Sequence, residues 1–234
     1  MKRGIALAAG LGLRLRPITL TTPKPLVAVA GKTLLDHALD KLADAGVEAC
    51  VVNMHHLASK IASHVAARQT PRIHLSDETE ELLETGGGIA KAMALLGDQP
   101  FFAANADILW TDGLGDMPAL MRLEQAWESQ RMDALLLLVP TQRAFGYEGA
   151  GDFFLQDDGR LQRRGKAASA PYVFAGVQVL HPRLFQDVPP GPFSLNLLYD
   201  RALASQRLFG LVHQGGWYHI GTPDALGEAR RLLG

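Results

Sequence analysis

Near the start of the chain, a few residues stand at spacings that suit phosphate chemistry. Gly10 and Gly12 follow a short apolar run, Arg14 comes two residues later, and Lys24 stands between Pro23 and Pro25. Glycines let a backbone approach an anion closely and turn its N–H groups toward it. Arg14 adds a planar fork of donors for phosphate oxygens. The flanking prolines stiffen the backbone and fix where the Lys24 ammonium points, which suits a phosphoryl centre where negative charge accumulates. The spacing is not that of a P-loop, G-x-x-x-x-G-K-[ST], nor of the dinucleotide fingerprint, whose third glycine position holds Leu15. Taken singly, Arg14 and Lys24 read as solvated surface charges; with the glycines and prolines beside them they read as a site.

Other polar residues stand where apolar runs end: Asn53, Asp77, Asp107 and His219. Asn53 either holds the base or ribose of a nucleotide or caps the following helix. Asp77 and Glu78 read as a solvated loop in preference to a pocket lining. His55 and His56 are adjacent and lack metal-type spacing, while His37 and His64 read as helix-surface residues. The single Cys50, within "EACVVN", excludes an intramolecular disulfide and reads as a buried structural thiol in a reducing, cytoplasmic compartment.

These residues need elements to hold them. "RGIALAAG" predicts a buried strand ending at a glycine, and "TLLDHALDKLADAG" a helix stopped by Gly46. "VEACVVN", "RIHLSDE", "PFFAANADIL" and "DALLLLVP" predict strands. "HLASKIASHVAAR", "GGGIAKAMALLG" and the stretch from Pro118 to Arg131 predict helices between them. Such alternation implies crossover units and a mostly parallel sheet. After Pro140 the rhythm changes: a hairpin around Asp158-Gly159, the strand "YVFAGVQVL", the helix "SLNLLYDRALAS", the strands "RLFGLVHQG" and "GWYHIG", and a last helix "PDALGEARRLL". The expectation is one α/β domain over 1–234, Rossmann-like, with a mixed sheet flanked by helices. Residues 1–140 form a nucleotide-type α/β half and 141–234 a more antiparallel half. Ligands in such sheets lie beyond the carboxyl ends of the strands, where the polar residues above fall.

Several function classes drop out. Net charge is −1 with signs interspersed, so no basic footprint points to nucleic acid. No apolar run approaches the roughly 20 residues of a membrane span. Lys2 and Arg3 precede an apolar stretch of signal-peptide length, while Arg14 and Arg16 stand where a small-residue cleavage site belongs, so this segment by itself does not decide against a signal peptide.

The stretch "LAAGLGLRLRPITLTTPKPLV" closely resembles the L-A-A-G-x-G-x-R-x-x-P…P-K-x-[LM] signature of sugar-1-phosphate nucleotidyltransferases. The likeness continues through "ETGGGIAKA", "FFAANADIL" and "GWYHIGTPDAL". It implies a nucleotide-diphospho-sugar transferase (GT-A-like) fold, without the left-handed β-helix that some relatives append. It implies that Ala8, Ala9, Gly10, Gly12, Glu84, Thr85 and Gly86, with Asn53, bind the nucleotide. Arg14, Lys24 and Asp107 then carry the catalysis, with Mg²⁺ on Asp107 and Mn²⁺ as the alternative ion. Gly146, Asp152 and Gly176 are assigned to the sugar, although the family's Glu-Lys-Pro sugar motif is missing from "RRGKAASAPYVFAG".

Within the family, "ETGGG", "GAGDFFL" and "GPFSLNLL" resemble the short uridylyltransferases that act on N-acetylmuramate α-1-phosphate in bacterial cell-wall sugar recycling. That implies UTP and this sugar phosphate as substrates; without a β-helix domain, a monomer or weak dimer is the default expectation. Guanylyl transfer to a mannose or heptose phosphate, thymidylyl transfer to glucose 1-phosphate, or a non-catalytic nucleotide-sugar sensor are the alternatives. His219 departs from the family, where an aspartate gives the metal a second carboxylate. Either Asp107, triphosphate oxygens and water hold the ion alone, or the site favours Mn²⁺, or a protonated His219 meets phosphate directly; the first is preferred. A histidine merely packed beside Trp217 and Tyr218 is the plain alternative.

Overall fold

The computed structural model describes residues 1–113 and 116–234. It opens with β1 (Arg3–Leu7), the hairpin pair β2 (Ala28–Val29) and β3 (Lys32–Thr33), α1 (Leu34–Asp44), β4 (Ala49–Met54), α2 (Ala58–Val65) and β5 (Arg72–Asp77). Then come α3 (Glu84–Leu96), β6 (Phe101–Asn105), β7 (Ile108–Trp110), α4 (Ala119–Ala126), β8 (Ala134–Pro140) and β9 (Ala144–Phe145). The chain closes with β10 (Phe153–Leu155), β11 (Leu161–Arg163), β12 (Tyr172–Leu180), α5 (Asn196–Ala204), β13 (Leu208–Val212), β14 (Trp217–His219) and α6 (Pro223–Leu233).

Helix starts follow local chemistry. The Thr33 hydroxyl accepts from Asp36 N at 3.0 Å, and α1 turns Leu35, Ala38, Leu39 and Leu42 onto the sheet. Thr222 caps α6, with Pro223 in the first turn, where its missing N–H is not needed. The helix expected over Pro118–Arg131 is shorter. It stops at Ala126 because Trp127 turns to extended backbone (φ −72°, ψ 124°) and packs its ring against the core, leaving 128–131 as a turn.

The main sheet is mixed. β1 pairs in parallel with β4 and β6, β4 with β5, and β8 with β13, whereas β12 runs antiparallel to β6, β8 and β10. β8 therefore lies between β12 and β13, among strands from beyond residue 140. Strand residues alternate between two apolar layers. Val52 and Phe102 face α1, α2 and α4, whereas Val51 and Phe101 face α3 and α5. Cover on both faces is why these strands read as continuous apolar runs. Cys50 is fully buried among them, and burial pushes its thiol up to about 12. The "GWYHIG" strand leaves the main sheet: β14 pairs with β7 and β9 in a separate three-stranded sheet, which sets His219 opposite Ile108 and near Lys24, Asp107 and Arg14. No helix among the described residues is long and apolar enough to cross a membrane.

Candidate active site

Beyond the carboxyl ends of β1, β4 and β6 lies a cavity of about 610 Å³. Ala8, Ala9, Gly10 and Gly12 line it, and the loop they form is held from behind. Thr19, buried, donates its hydroxyl to Gly12 O at 2.9 Å, and His56 Nε2–H donates to Thr19 O at 2.7 Å. Gly12 has φ +61°, and a Cβ there would lie 2.9 Å from Thr19 Cγ2 and 3.0 Å from Lys24 Cβ. The glycine thus brings the loop down onto the lysine.

Lys24 starts a single 3₁₀ turn between its prolines, with the side chain buried to 8 % exposure. Its Nζ donates to Asp107 Oδ2 at 2.8 Å. The carboxylate itself is 40 % exposed. Holding an ammonium out of water with one half-solvated partner leaves its field directed into the cavity, where an anion would meet it.

Arg14 also lines the cavity, and its Nη2 lies 3.4 Å from His219 Nε2. The other ring nitrogen, Nδ1–H, donates to Gly146 O at 3.2 Å, and the ring stacks on Trp217 at 16°. Burial first, and then the Lys24 charge, lower the His219 pKa, so the ring is neutral at pH 7 and this environment disfavours the protonated reading. Among the described residues no group of three or more His, Cys, Asp and Glu is arranged to hold a metal. The part-exposed Asp107 carboxylate fits a hard divalent ion that completes its shell with phosphate oxygens and water.

The opposite wall is the turn into α3, where Leu82, Glu84 and Thr85 face the cavity and Glu84 has φ +58°. Thr85 Oγ1 accepts from Leu195 N at 3.0 Å, tying this turn to the loop before α5. Gly86 is not on the cavity surface: the Phe193 ring covers it, and a Cβ would lie 2.4 Å from Phe193 Cε2. Asn53, 2 % exposed, lines the floor, but its Oδ1 already accepts from Ala8 N at 2.7 Å.

The three residues assigned to the sugar are not among the residues that line this cavity. Asp152 Oδ2 accepts from Phe174 N at 2.9 Å, holding β12. Gly176 sits in the bulge of β12 at φ +76°, against the Asn105 side chain. Gly146 supplies the carbonyl that orients His219. Sequence reasoning missed Asn105 and Ser194 on the cavity wall, and Thr19 and His56 behind it. Asn105, two residues before Asp107 at the end of the same strand, had a usable signal; the others depend on contacts between distant segments.

Comparison with known proteins accounts for this arrangement. Residues 3–233 match the model of the family described as "Nucleotidyl transferase". The N-acetylmuramate alpha-1-phosphate uridylyltransferase of Caulobacter vibrioides is 44 % identical over 228 residues, covering 96 % of this chain and 93 % of that one. The protein of the same name from Neisseria meningitidis serogroup B is 33 % identical, covering 99 % and 98 %. A UDP-glucose pyrophosphorylase solved with UDP-glucose superposes with a TM-score of 0.80 at 18 % identity, covering 99 % and 98 %, which is a likeness of fold. With the glycine loop, the proline-held lysine and the aspartate at one cavity, the chain belongs to the nucleotidyl transferase family of sugar-1-phosphate nucleotidyltransferases.

Proposed function

We propose that the protein transfers a uridylyl group from UTP to N-acetylmuramate α-1-phosphate. A phosphate oxygen of the sugar phosphate forms a bond to the α-phosphorus. The bond from that phosphorus to the β-phosphate oxygen breaks, and pyrophosphate leaves with the electron pair. The nucleophile is already ionised at neutral pH, so no general base is required. The task is to bring two polyanions together in line and offset their repulsion. The observation that carries the reading is the buried Lys24 ammonium, 2.8 Å from Asp107, facing a cavity walled by the glycine loop. The choice of UTP and of this sugar rests on the 44 % identity to the Caulobacter vibrioides enzyme over nearly the whole chain.

In this reading the loop N–H groups and Arg14 hold the triphosphate, and Lys24 stabilises charge on the reacting phosphates. Asp107, a part-exposed carboxylate, would hold Mg²⁺, which prefers its oxygens to the His219 imidazole. That ion, when bound, neutralises charge on the phosphate oxygens. His219 keeps Arg14 turned toward the cavity. A buried, reduced Cys50 and the use of a nucleoside triphosphate fit a cytoplasmic enzyme.

Pyrophosphate release with N-acetylmuramate 1-phosphate and each of UTP, GTP, dTTP and CTP, with Mg²⁺ present, tests the proposal. Turnover with UTP alone is expected. Turnover only with another pair, such as GTP and a mannose phosphate, would keep the transfer and discard the substrates. Nucleotide binding without turnover on any sugar phosphate would make the protein a sensor.

A further inference from the structure

Behind the cavity stands a carboxylate that none of these steps uses. Asp77 is exposed, but Glu78, the next residue of the supposed solvated loop, is 1 % exposed. A buried carboxylate is costly unless hydrogen bonds meet its oxygens. Here Oε1 accepts from Asn53 Nδ2 at 2.7 Å and Oε2 from Leu83 N at 3.1 Å, with no ion pair to it among the described residues. The Glu78 main chain is pinned as well. Its N–H donates to Met54 O at 2.8 Å, and its carbonyl accepts from His55 Nδ1–H at 2.6 Å.

Because Asn53 Oδ1 accepts from Ala8 N, an unbroken chain of hydrogen bonds runs from the start of the glycine loop to the start of α3. Both ends of this chain are main-chain donors. The two side chains between them must therefore present three acceptors and one donor, which means one carboxylate and one amide. Gly88 of α3 closes the assembly: a Cβ there would lie 2.7 Å from Glu78 Oε1 and 2.9 Å from Asn53 Nδ2.

We infer that Glu78 is a positioning residue: its carboxylate and the Asn53 amide form a directional brace that sets the spacing between the glycine loop and the α3 turn. Glu78 does not line the cavity; it acts through Asn53, Ala8 and Leu83. Leu83 directly precedes Glu84, whose left-handed backbone persists only while its neighbours hold it. The inference rests on the proposed function, in which these two walls hold the triphosphate and the base.

The polarity of the brace supplies its test. Glu78→Gln leaves one donor facing another whichever way the two amides turn, and Asn53→Asp sets two carboxylates against each other. The double variant restores every bond: residue 53 accepts from Ala8 N and from the new amide, whose oxygen accepts from Leu83 N. Thermal unfolding and calorimetric binding of UTP and of the sugar phosphate are measured for all four proteins.

Each single variant is expected to lose about 4 °C or more of Tm, and the double variant to recover most of it. Glu78→Gln should bind UTP about tenfold more weakly while its affinity for the sugar phosphate stays within about twofold. A single variant that fails to fold beside a folded double variant also supports the brace. A double variant no more stable than the worse single variant overturns the directional chain. UTP affinity unchanged in Glu78→Gln, or both ligands weakened alike, overturns the positioning role. A wild-type protein that binds no nucleoside triphosphate refutes the proposed function, and this role with it; the Tm cycle still reports separately on the hydrogen bonds.

Discussion

Gly10 and the run Gly86–Gly88 stand on opposite sides of the cavity and serve opposite purposes. Gly10 is exposed, and a Cβ built on it would meet nothing within 4 Å. The space beside it is open to a ligand. Gly86, Gly87 and Gly88 are all buried, and each is closed off by a different part of the protein: the Phe193 ring, the carbonyl of Gly191, and the Glu78–Asn53 pair. Spacing places Gly10, and family resemblance Gly86, against a nucleotide. In the structure the first offers backbone to a ligand, and the second lets α3 sink into the fold until its first turn becomes a wall. A glycine's meaning is set by what fills the place of its missing side chain.

Substitutions on the two sides should separate these uses. The largest effect belongs to the open side: Lys24→Met is expected to lower kcat by about 10²–10³-fold with unchanged circular dichroism. Near-parental turnover would remove Lys24 from the chemistry. His219→Ala, which frees Arg14 from its neighbour and from the link to Gly146, should lower kcat/KM by about tenfold. If His219→Ala and His219→Asp both match the parent, that position lies outside the reaction.

On the packed side, Gly86→Ala drives a methyl into the Phe193 ring. Overpacking of this kind costs about 1–3 kcal/mol, which for a chain of this size is a fall in Tm of roughly 3–10 °C. Gly10→Ala should leave Tm within about 1 °C and raise the KM for UTP severalfold, because its methyl projects into the ligand's space. Equal losses of Tm in Gly10→Ala and Gly86→Ala would abolish the distinction.

The smallest effect concerns acid. His181 and His213 are also held below their ordinary pKa, mainly by burial, as is His219. The unfolded chain binds protons near pH 6.5 that the folded one refuses until lower pH. Stability is therefore complete above that value and falls as pH drops through the folded-state pKa values. Tm followed from pH 7.5 to 5 should decline, and less steeply in His213→Asn.

Much of this molecule was legible in its residue order. The apolar runs of β1, β4, β6 and β8, the helical period of α1 with its stop at Gly46, and the loop from Gly10 to Lys24 are local patterns. Burial periodicity, capping and backbone stiffness act over a few residues, so a reader of the chain can apply them directly. Only the tertiary structure decided which neighbours those segments would meet. It covered Gly86 with Phe193, drew Glu78 out of solvent onto Asn53, set β8 between β12 and β13, and left His219 neutral between Arg14 and Gly146. Each of these outcomes depends on contacts between segments far apart in the chain, and burial and hydrogen bonding are properties of the packed whole.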